Sequence, residues 1–369
     1  MRIERLEAIP YALPFTDPYV TARGTLERRE MVLVRLHTDE GAIGLGDAVA
    51  LSLRRGATLG AIEGALPRTE RRLRKADISD FAGAEPLLAA IDTFIHAAAG
   101  RRLPPPAAAA VEMALFDLAG KVSGKPLWEL FGVARPDPVG CNATLAAGAP
   151  AEVAAEAERW AERGFRTFKL KLGTGDDLEQ VEAVRGVLGQ GARIRVDANG
   201  TWSAEDAIAI LDRLAAHDVE LAEQPVETLR EMASVAASSS IPIAADESVS
   251  TTKEARKAVS AGACEFATVK LAKVGGIGRG AGIAAELPVY LSSALDGPLG
   301  IAAAGHAAQA MYRDRVDPGL AHGLATQLLF AETIAARECE VRDGSLHLPE
   351  GPGLGVEIDA AALDRHRFQ

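Results

Sequence analysis

From Thr167 to Lys270 the chain repeats one arrangement five times: a short β-rich run that ends in charged residues, followed by a helical stretch. The runs TFKLKLG, RIRVDAN, VELAEQP, IPIAAD and EFATVKL carry Lys169 and Lys171, Asp197 and Asn199, Glu223, Asp246 and Glu247, and Lys270 at their C-terminal ends. Lys171, Asp197, Glu223, Asp246 and Lys270 stand 26, 26, 23 and 24 positions apart, one strand and helix each time. PVGCNATL precedes the series, PVYLSS and the shorter GLAHG follow it, and about eight alternations fit between Pro138 and Ala336. That pattern is an α/β one, a parallel (β/α) TIM barrel, with a doubly wound open sheet as the alternative. In a barrel the polar strand ends converge on one mouth; in an open sheet they spread along an edge. A strand-end charge also serves as a helix cap, so each position is weighed on its own.

The rest of the chain has a different texture. Arg2 to Pro14 and Glu30 to Leu36 read as antiparallel strands, continued by Gly41 to Gly46 after a turn at His37–Gly41. AAAAVEMALFDLAGKV, residues 107–122, is a strong helix, and Pro104-Pro105-Pro106 presets its first turn. Its alanine run predicts close packing. Thr251 with Glu254, and Ser203 after Asn199-Gly200, mark helix starts. With 369 residues and 48% hydrophobic side chains, the chain can bury a large core and form one large domain with a smaller one.

A net charge of −11 and no basic run longer than Arg71, Arg72, Arg74 and Lys75 argue against nucleic acid or an anionic membrane as partner. That cluster reads as a solvated helix face. Cys141, Cys264 and Cys339 are odd in number and far apart, so they are expected as free thiols in the cytoplasm. No window reaches the roughly 20 apolar residues of a membrane span, and MRIERLEAIPYALPF alternates like a strand instead of a signal segment. A homo-oligomer is permitted but not implied.

Asp197, Glu223 and Asp246 on adjacent strand ends would bring three negative charges together. At an effective dielectric near 20, each pair at about 4 Å costs roughly 4 kcal/mol. A divalent cation resolves the conflict, and oxygen-only ligands favour Mg²⁺, with Mn²⁺ as a substitute. Singly, Asp246 in Asp-Glu-Ser reads equally as a helix cap and Asp197 before Asn199-Gly200 as part of a turn; Glu223 seldom caps. Lys169 and Lys171 share one strand face because side chains alternate. With Phe168, Leu170 and Leu172 on the other face, that face is the barrel interior. Bringing a lysine from about 10.4 to about 8 takes some 3 kcal/mol, about what one like-charged neighbour supplies. Lys171 is therefore expected as general base, Lys169 as the group that tunes it and binds the substrate carboxylate, and Lys270 as an acid, base or fixed cation across the mouth.

FKLKLG, RVDANG, EQP, ADES and VKLAKVGG, in this order, resemble the muconate-lactonizing subgroup of the enolase superfamily over essentially the whole chain. The resemblance implies a (β/α)7β barrel over residues 126–336 and an α+β capping domain formed by residues 1–125 and a returning C-terminal segment, 337–369. It also implies Mg²⁺ on Asp197, Glu223 and Asp246, and an enediolate formed from a small carboxylate substrate. The mandelate racemase type would place a histidine where PVYLSS stands. Within the subgroup, SSALDGPLGIAAAGH, GLAHGLATQLLFAE and VRDGSLHLPEGPGLGV look most like the o-succinylbenzoate synthases of menaquinone biosynthesis. Carried over, Lys171 abstracts the proton and helps expel hydroxide from the same face, while Lys270 holds the ring by a cation–π contact. Ser292 and Ser293 bind the succinyl arm, Arg23 reaches over from the cap, and Asn199 joins them as a substrate-binding candidate. Muconate-type cycloisomerase, dipeptide epimerase and N-succinylamino acid racemase are the rivals in class; a catalytically silent ligand-binding barrel is the rival outside it.

Overall fold

The computed structural model describes residues 1–54, 56–74, 91, 103–311 and 319–368; Lys75 of the basic cluster lies outside them. The first strands run further than the sequence pattern predicts: β1 spans Ile3–Thr21 and β2 Gly24–Thr38, paired antiparallel throughout. Pro14 and Pro18 suggest a break, yet a register shift between Pro14 and Tyr19 absorbs them. β3 is Ile43–Val49, displaced from the expected Gly41–Gly46, because the Thr38 hydroxyl accepts the Ala42 N–H at 3.0 Å and closes a tighter turn. Helix α1, Leu59–Leu73, carries Arg71 and Arg72 exposed in its last turn.

Helix α2, Pro105–Ser123, starts on the proline run, ends at Gly124 in the left-handed region (φ 68°), and buries every residue from Pro106 to Gly120. The alanines allow backbone contact. A Cβ on Gly44 or Gly46 of β3 would stand 2.1 Å from the carbonyl oxygen of Ala114 or Ala110. Two buried carboxylates of α2 tie distant segments to it. Asp117 accepts N–H groups from Leu45 at 2.8 Å and Leu354 at 2.9 Å. Glu112 accepts those of Ile277 and Gly278. A short helix, α3, follows at Leu127–Leu130.

After β4 (Val139–Gly140) come β5 (Asn142–Leu145), α4 (Pro150–Glu162), β6 (Thr167–Lys171), α5 (Asp177–Leu188), β7 (Arg193–Asp197) and α6 (Ala204–Leu214). The alternation continues through β8 (Val219–Glu223), α7 (Leu229–Ala236), β9 (Ile243–Ala245), α8 (Thr252–Ala261) and β10 (Phe266–Lys270). Strands β5 to β11 (Val289–Ser292) form one parallel sheet in chain order. The eighth strand expected at GLAHG is reduced to His322 and Gly323, which bridge Cys141 and Ser292 in parallel and close the ring. Ser203 and Thr251 cap α6 and α8, and the full reciprocal capping box falls at Thr228 and Glu231 on α7. The glycine-rich sixth connection is two pieces, α9 (Leu271–Val274) and α10 (Ile277–Ala284), broken at Gly275 and Gly276 with φ 95° and 125°. Glu112 caps α10 from the other half of the chain, and a Cβ on Gly276 would meet its carboxylate at 2.2 Å.

Helix α11 (Pro298–Met311) follows β11. Among the C-terminal strands, β12 (Ala335–Arg337) pairs with β15 (Glu357–Ile358), and β13 (Glu340–Arg342) with β14 (Ser345–His347), which also pairs with β4. Helix α12 (Ala360–His366) leads to Arg367, bridged to Tyr11 of β1. The cysteines form no disulfide, and no described helix is long and apolar enough to cross a membrane.

Where β1 and β3 meet the start of α11, Asp47 and Asp296 are buried together with Tyr11. Asp47 accepts the N–H groups of Leu299 and Gly300 and the Tyr11 hydroxyl, yet burial and the Asp296 carboxylate push its carboxyl up to about 8. The folded chain therefore holds this proton more tightly than the unfolded chain, whose aspartates titrate near 3.9. Its contribution is fully present below about pH 4 and is lost as pH rises through about 8. Asp47→Asn is expected to flatten the decline in stability between these values and to raise the Tm at pH 9 by about 2 °C or more. Thermal melts at pH 4 and 9 check it; an unchanged difference between the two would contradict the placement of the proton.

Candidate active site

The barrel ladder sets the height of each functional group. Lys171 pairs with Asp197 across β6 and β7, Asp197 with Glu223 across β7 and β8, and Lys270 with Ser292 across β10 and β11. Lys171 and Lys270 stand on strands separated by β7, β8 and β9, so they face each other across the mouth. All five residues of β6 are buried, with Lys169 and Lys171 inside and Phe168 in the apolar core.

Each carboxylate meets a lysine. Asp197 Oδ2 accepts from Lys171 at 2.5 Å and lies 2.9 Å from Lys169. Glu223 Oε2 accepts from Lys169 at 2.6 Å and from the Tyr290 hydroxyl. Asp246 Oδ2 accepts from Lys270 at 2.5 Å and its Oδ1 from Lys273 at 2.9 Å. Burial would raise the Asp197 carboxyl, but the ammonium groups of Lys169, Lys171 and Lys270 hold it well below the usual carboxylate range. Burial would lower Lys169; Asp197 and Glu223 outweigh it and hold that ammonium well above the ordinary lysine range. The expected repulsion between Lys169 and Lys171 is thus offset, because one oxygen of Asp197 is shared between them.

The donors suit a divalent cation. Asp197, Glu223 and Asp246 are at most 1% exposed and offer oxygen alone, the chemistry of Mg²⁺. Glu223 Oε1 is buried without a hydrogen-bond partner among the described residues, 3.8 Å from Lys270 Nζ, and a buried oxygen left so is costly. Among the described residues no three acidic, histidine or cysteine side chains converge as a ready-made metal cluster; ammonium groups stand against all three carboxylates.

The other sequence candidates divide. Asn199, at φ 50°, donates its N–H to Asp197 Oδ1 at 2.9 Å, accepts from Lys171 at 3.1 Å and donates to Glu247 at 3.1 Å, so it orients the lysine. Arg23 lines the cavity, but its Nε and Nη2 donate to the Asn199 carbonyl at 3.0 and 2.7 Å, which fastens the cap segment to the barrel. Ser292 and Ser293 both line the cavity. The Ser293 hydroxyl is taken by Thr326 and the Leu295 N–H, so its demand is met locally.

Three groups escaped sequence reasoning. Lys273 of VKLAK folds back from α9 onto Asp246 and the carbonyls of Asp246, Val249 and Thr268. The K-x-x-K spacing was the available signal. Gln224 of EQP, fully buried at φ 39°, accepts the N–H of Asp246 at 2.9 Å and of Ser248 at 3.2 Å. It fixes Asp246 beyond the end of the three-residue β9. Arg29 of β2, 4% exposed, also lines the cavity and donates to the Ala294 carbonyl at 2.6 Å. Tyr19, Thr21, Leu51 and Leu53 complete the wall from the N-terminal side.

Comparison with known proteins gives the family. The chain is 33% identical to muconate cycloisomerase 1 of Pseudomonas putida over 98% of each. It is 31% identical to L-Ala-D/L-Glu epimerase of Bacillus subtilis (strain 168) over the full length of both. The solved dipeptide epimerase from Enterococcus faecalis V583, complexed with Mg and the dipeptide L-Leu-L-Tyr, superposes with a TM-score of 0.86 at 26% identity, covering 97% of this chain and 100% of that one. Residues 7–132 match the family described as mandelate racemase / muconate lactonizing enzyme, N-terminal domain. Residues 152–362 match the enolase C-terminal domain-like family, and with both matches the chain belongs to the enolase superfamily, an enzyme of its proton-abstracting chemistry.

Proposed function

We propose that this chain is a Mg²⁺-dependent enzyme that removes the proton next to a carboxylate of a dicarboxylate substrate, and that its reaction is syn-dehydration to o-succinylbenzoate, a step of menaquinone biosynthesis. One observation carries the substrate class. The described cavity wall holds six cations, Arg23, Arg29, Lys169, Lys171, Lys270 and Lys273, and no aspartate or glutamate. Asp197, Glu223 and Asp246 balance the four lysines, so the cap arginines Arg23 and Arg29 are what favour a second substrate carboxylate over an ammonium group, by up to roughly 4 kcal/mol at about 4 Å and an effective dielectric near 20. This argues against a dipeptide.

Of the two lysines on β6, Lys169 is held charged by Asp197 and Glu223, so it binds and does not take a proton. Lys171, at the end of the strand, meets one carboxylate, Asp197, and the Asn199 side chain, against two carboxylates for Lys169, and is the base. Its nitrogen takes the carbon-bound proton; as an ammonium on the same face it then returns a proton to the departing hydroxide, which leaves as water while the C–O bond breaks. Lys270, on Asp246 across the mouth, is a fixed cation beside the developing anion. Asp197, Glu223 and Asp246 would hold Mg²⁺, which supplies positive charge for the carboxylate as it gains electron density. Ser292 is placed for the succinyl arm.

Muconate cycloisomerisation is the second reading, favoured by the relative at 33% identity, and it too gives the wall a dianion. Assay of the purified protein with the succinyl-bearing cyclohexadiene carboxylate, a muconate, N-succinylamino acids and dipeptides separates them. The first is expected to have the highest kcat/KM. Failure to convert it, with turnover of muconate, selects the second reading; preferred turnover of dipeptides overturns the dianion assignment.

A further inference from the structure

Beneath the mouth lies a group that the chemistry above does not use. Tyr290, the second residue of β11, is 1% exposed and points into the barrel, where its ring packs with Leu221 and Ala244. Its hydroxyl donates to Glu223 Oε2, the oxygen that also accepts from Lys169. The other oxygen, Oε1, is buried, lies 3.8 Å from Lys270 Nζ and has no hydrogen-bond partner among the described residues. The phenol is itself held from below. The Arg195 guanidinium stands 5.1 Å from the ring centroid, wholly buried, and is fixed by Glu220 and by the Ala321 carbonyl at 2.6 Å.

A carboxylate on its own rotates about its terminal torsion and can present either or both oxygens. Here two donors of different strands, Lys169 of β6 and Tyr290 of β11, hold one oxygen from two directions. Rotation would break both bonds. We propose that Tyr290 is a positioning residue that commits Glu223 Oε2 to the protein and so presents Oε1, fixed in place, to the divalent cation. The inference rests on the reading of Glu223 as a metal ligand. Groups that orient ligands in this way are typically worth 10- to 100-fold in metal affinity.

Tyr290→Phe keeps the ring under Arg195 and removes only the hydroxyl. Mg²⁺ binding to the full-length variant, followed by isothermal titration calorimetry, is expected to be about 10-fold weaker or more. Leu221→Ile, a packing change in the same cluster, is expected to leave the affinity within twofold. Wild-type affinity in Tyr290→Phe overturns the proposal, as does equal weakening in both variants, which would mean packing alone. A wild-type chain that binds no Mg²⁺ would instead sink the metal reading. As a check that needs no variant, the four tyrosines of the chain can be labelled as 3-fluorotyrosine. Mg²⁺ is expected to shift the ¹⁹F resonance of the buried Tyr290, and a titration that moves none of the four contradicts the inference.

Discussion

Lys171→Ala is expected to lower kcat by about 10²- to 10⁴-fold, the range that a positioned general base contributes, while the chain stays folded and still binds substrate. The fold should survive because Asp197 keeps Lys169 at 2.9 Å and the Asn199 N–H at 2.9 Å after the amine is gone. No described neighbour can take over the proton. Lys169 is locked to two carboxylates, and Lys270 and Lys273 both sit on Asp246. Steady-state kinetics with a far-ultraviolet circular dichroism control checks this. A variant with wild-type kcat would show that the base is elsewhere.

Chelation of divalent cations is expected to take turnover to background without unfolding the chain, and added Mg²⁺ to restore it. Three uncompensated carboxylates would repel one another by roughly 4 kcal/mol per pair at about 4 Å and an effective dielectric near 20. In this chain Lys169, Lys171, Lys270 and Lys273 already answer them at 2.5 to 2.9 Å. The fold therefore does not depend on the ion, whereas the developing substrate anion does. Mg²⁺ should still raise thermal stability by mass action, by about 2.7 kcal/mol at a hundredfold excess over Kd. Activity that persists in excess EDTA would remove the three carboxylates from the mechanism; unfolding on chelation would show that the lysines do not balance them.

The barrel and its mouth were legible because strand periodicity and strand-end charge are local signals. Lys171, Asp197, Glu223 and Lys270 each close a β-rich run, and the ladder puts them where that pattern predicts. What the pattern could not carry depends on contacts between distant residues. Lys273 reads as an ordinary helix lysine until α9 folds back onto Asp246. Ser293 reads as a lone strand-end hydroxyl, and its pairing with Thr326, 33 positions on, has no local trace. Tyr290 reads as one more strand aromatic, and only ring closure brings β11 opposite β8. Asp47 and Asp296 lie far apart in sequence, so their shared burial has no local trace. The eighth strand was only half visible, since two residues suffice to close the ring. Glu112 accepts the N–H groups of Ile277 and Gly278 at the start of α10, 165 positions on, a pairing that no local pattern shows.

The central claim, that Lys171 removes a proton next to a carboxylate, is tested most directly by isotope exchange. The succinyl-bearing cyclohexadiene carboxylate, or an unreactive dicarboxylate analogue with the same acidic carbon, is incubated in D₂O with Mg²⁺ and followed by ¹H NMR. The wild-type chain is expected to wash deuterium into the position next to the carboxylate or to carry the substrate on to product, and Lys171→Ala to do neither. Exchange at the wild-type rate in Lys171→Ala, with the metal site loaded, would contradict the account.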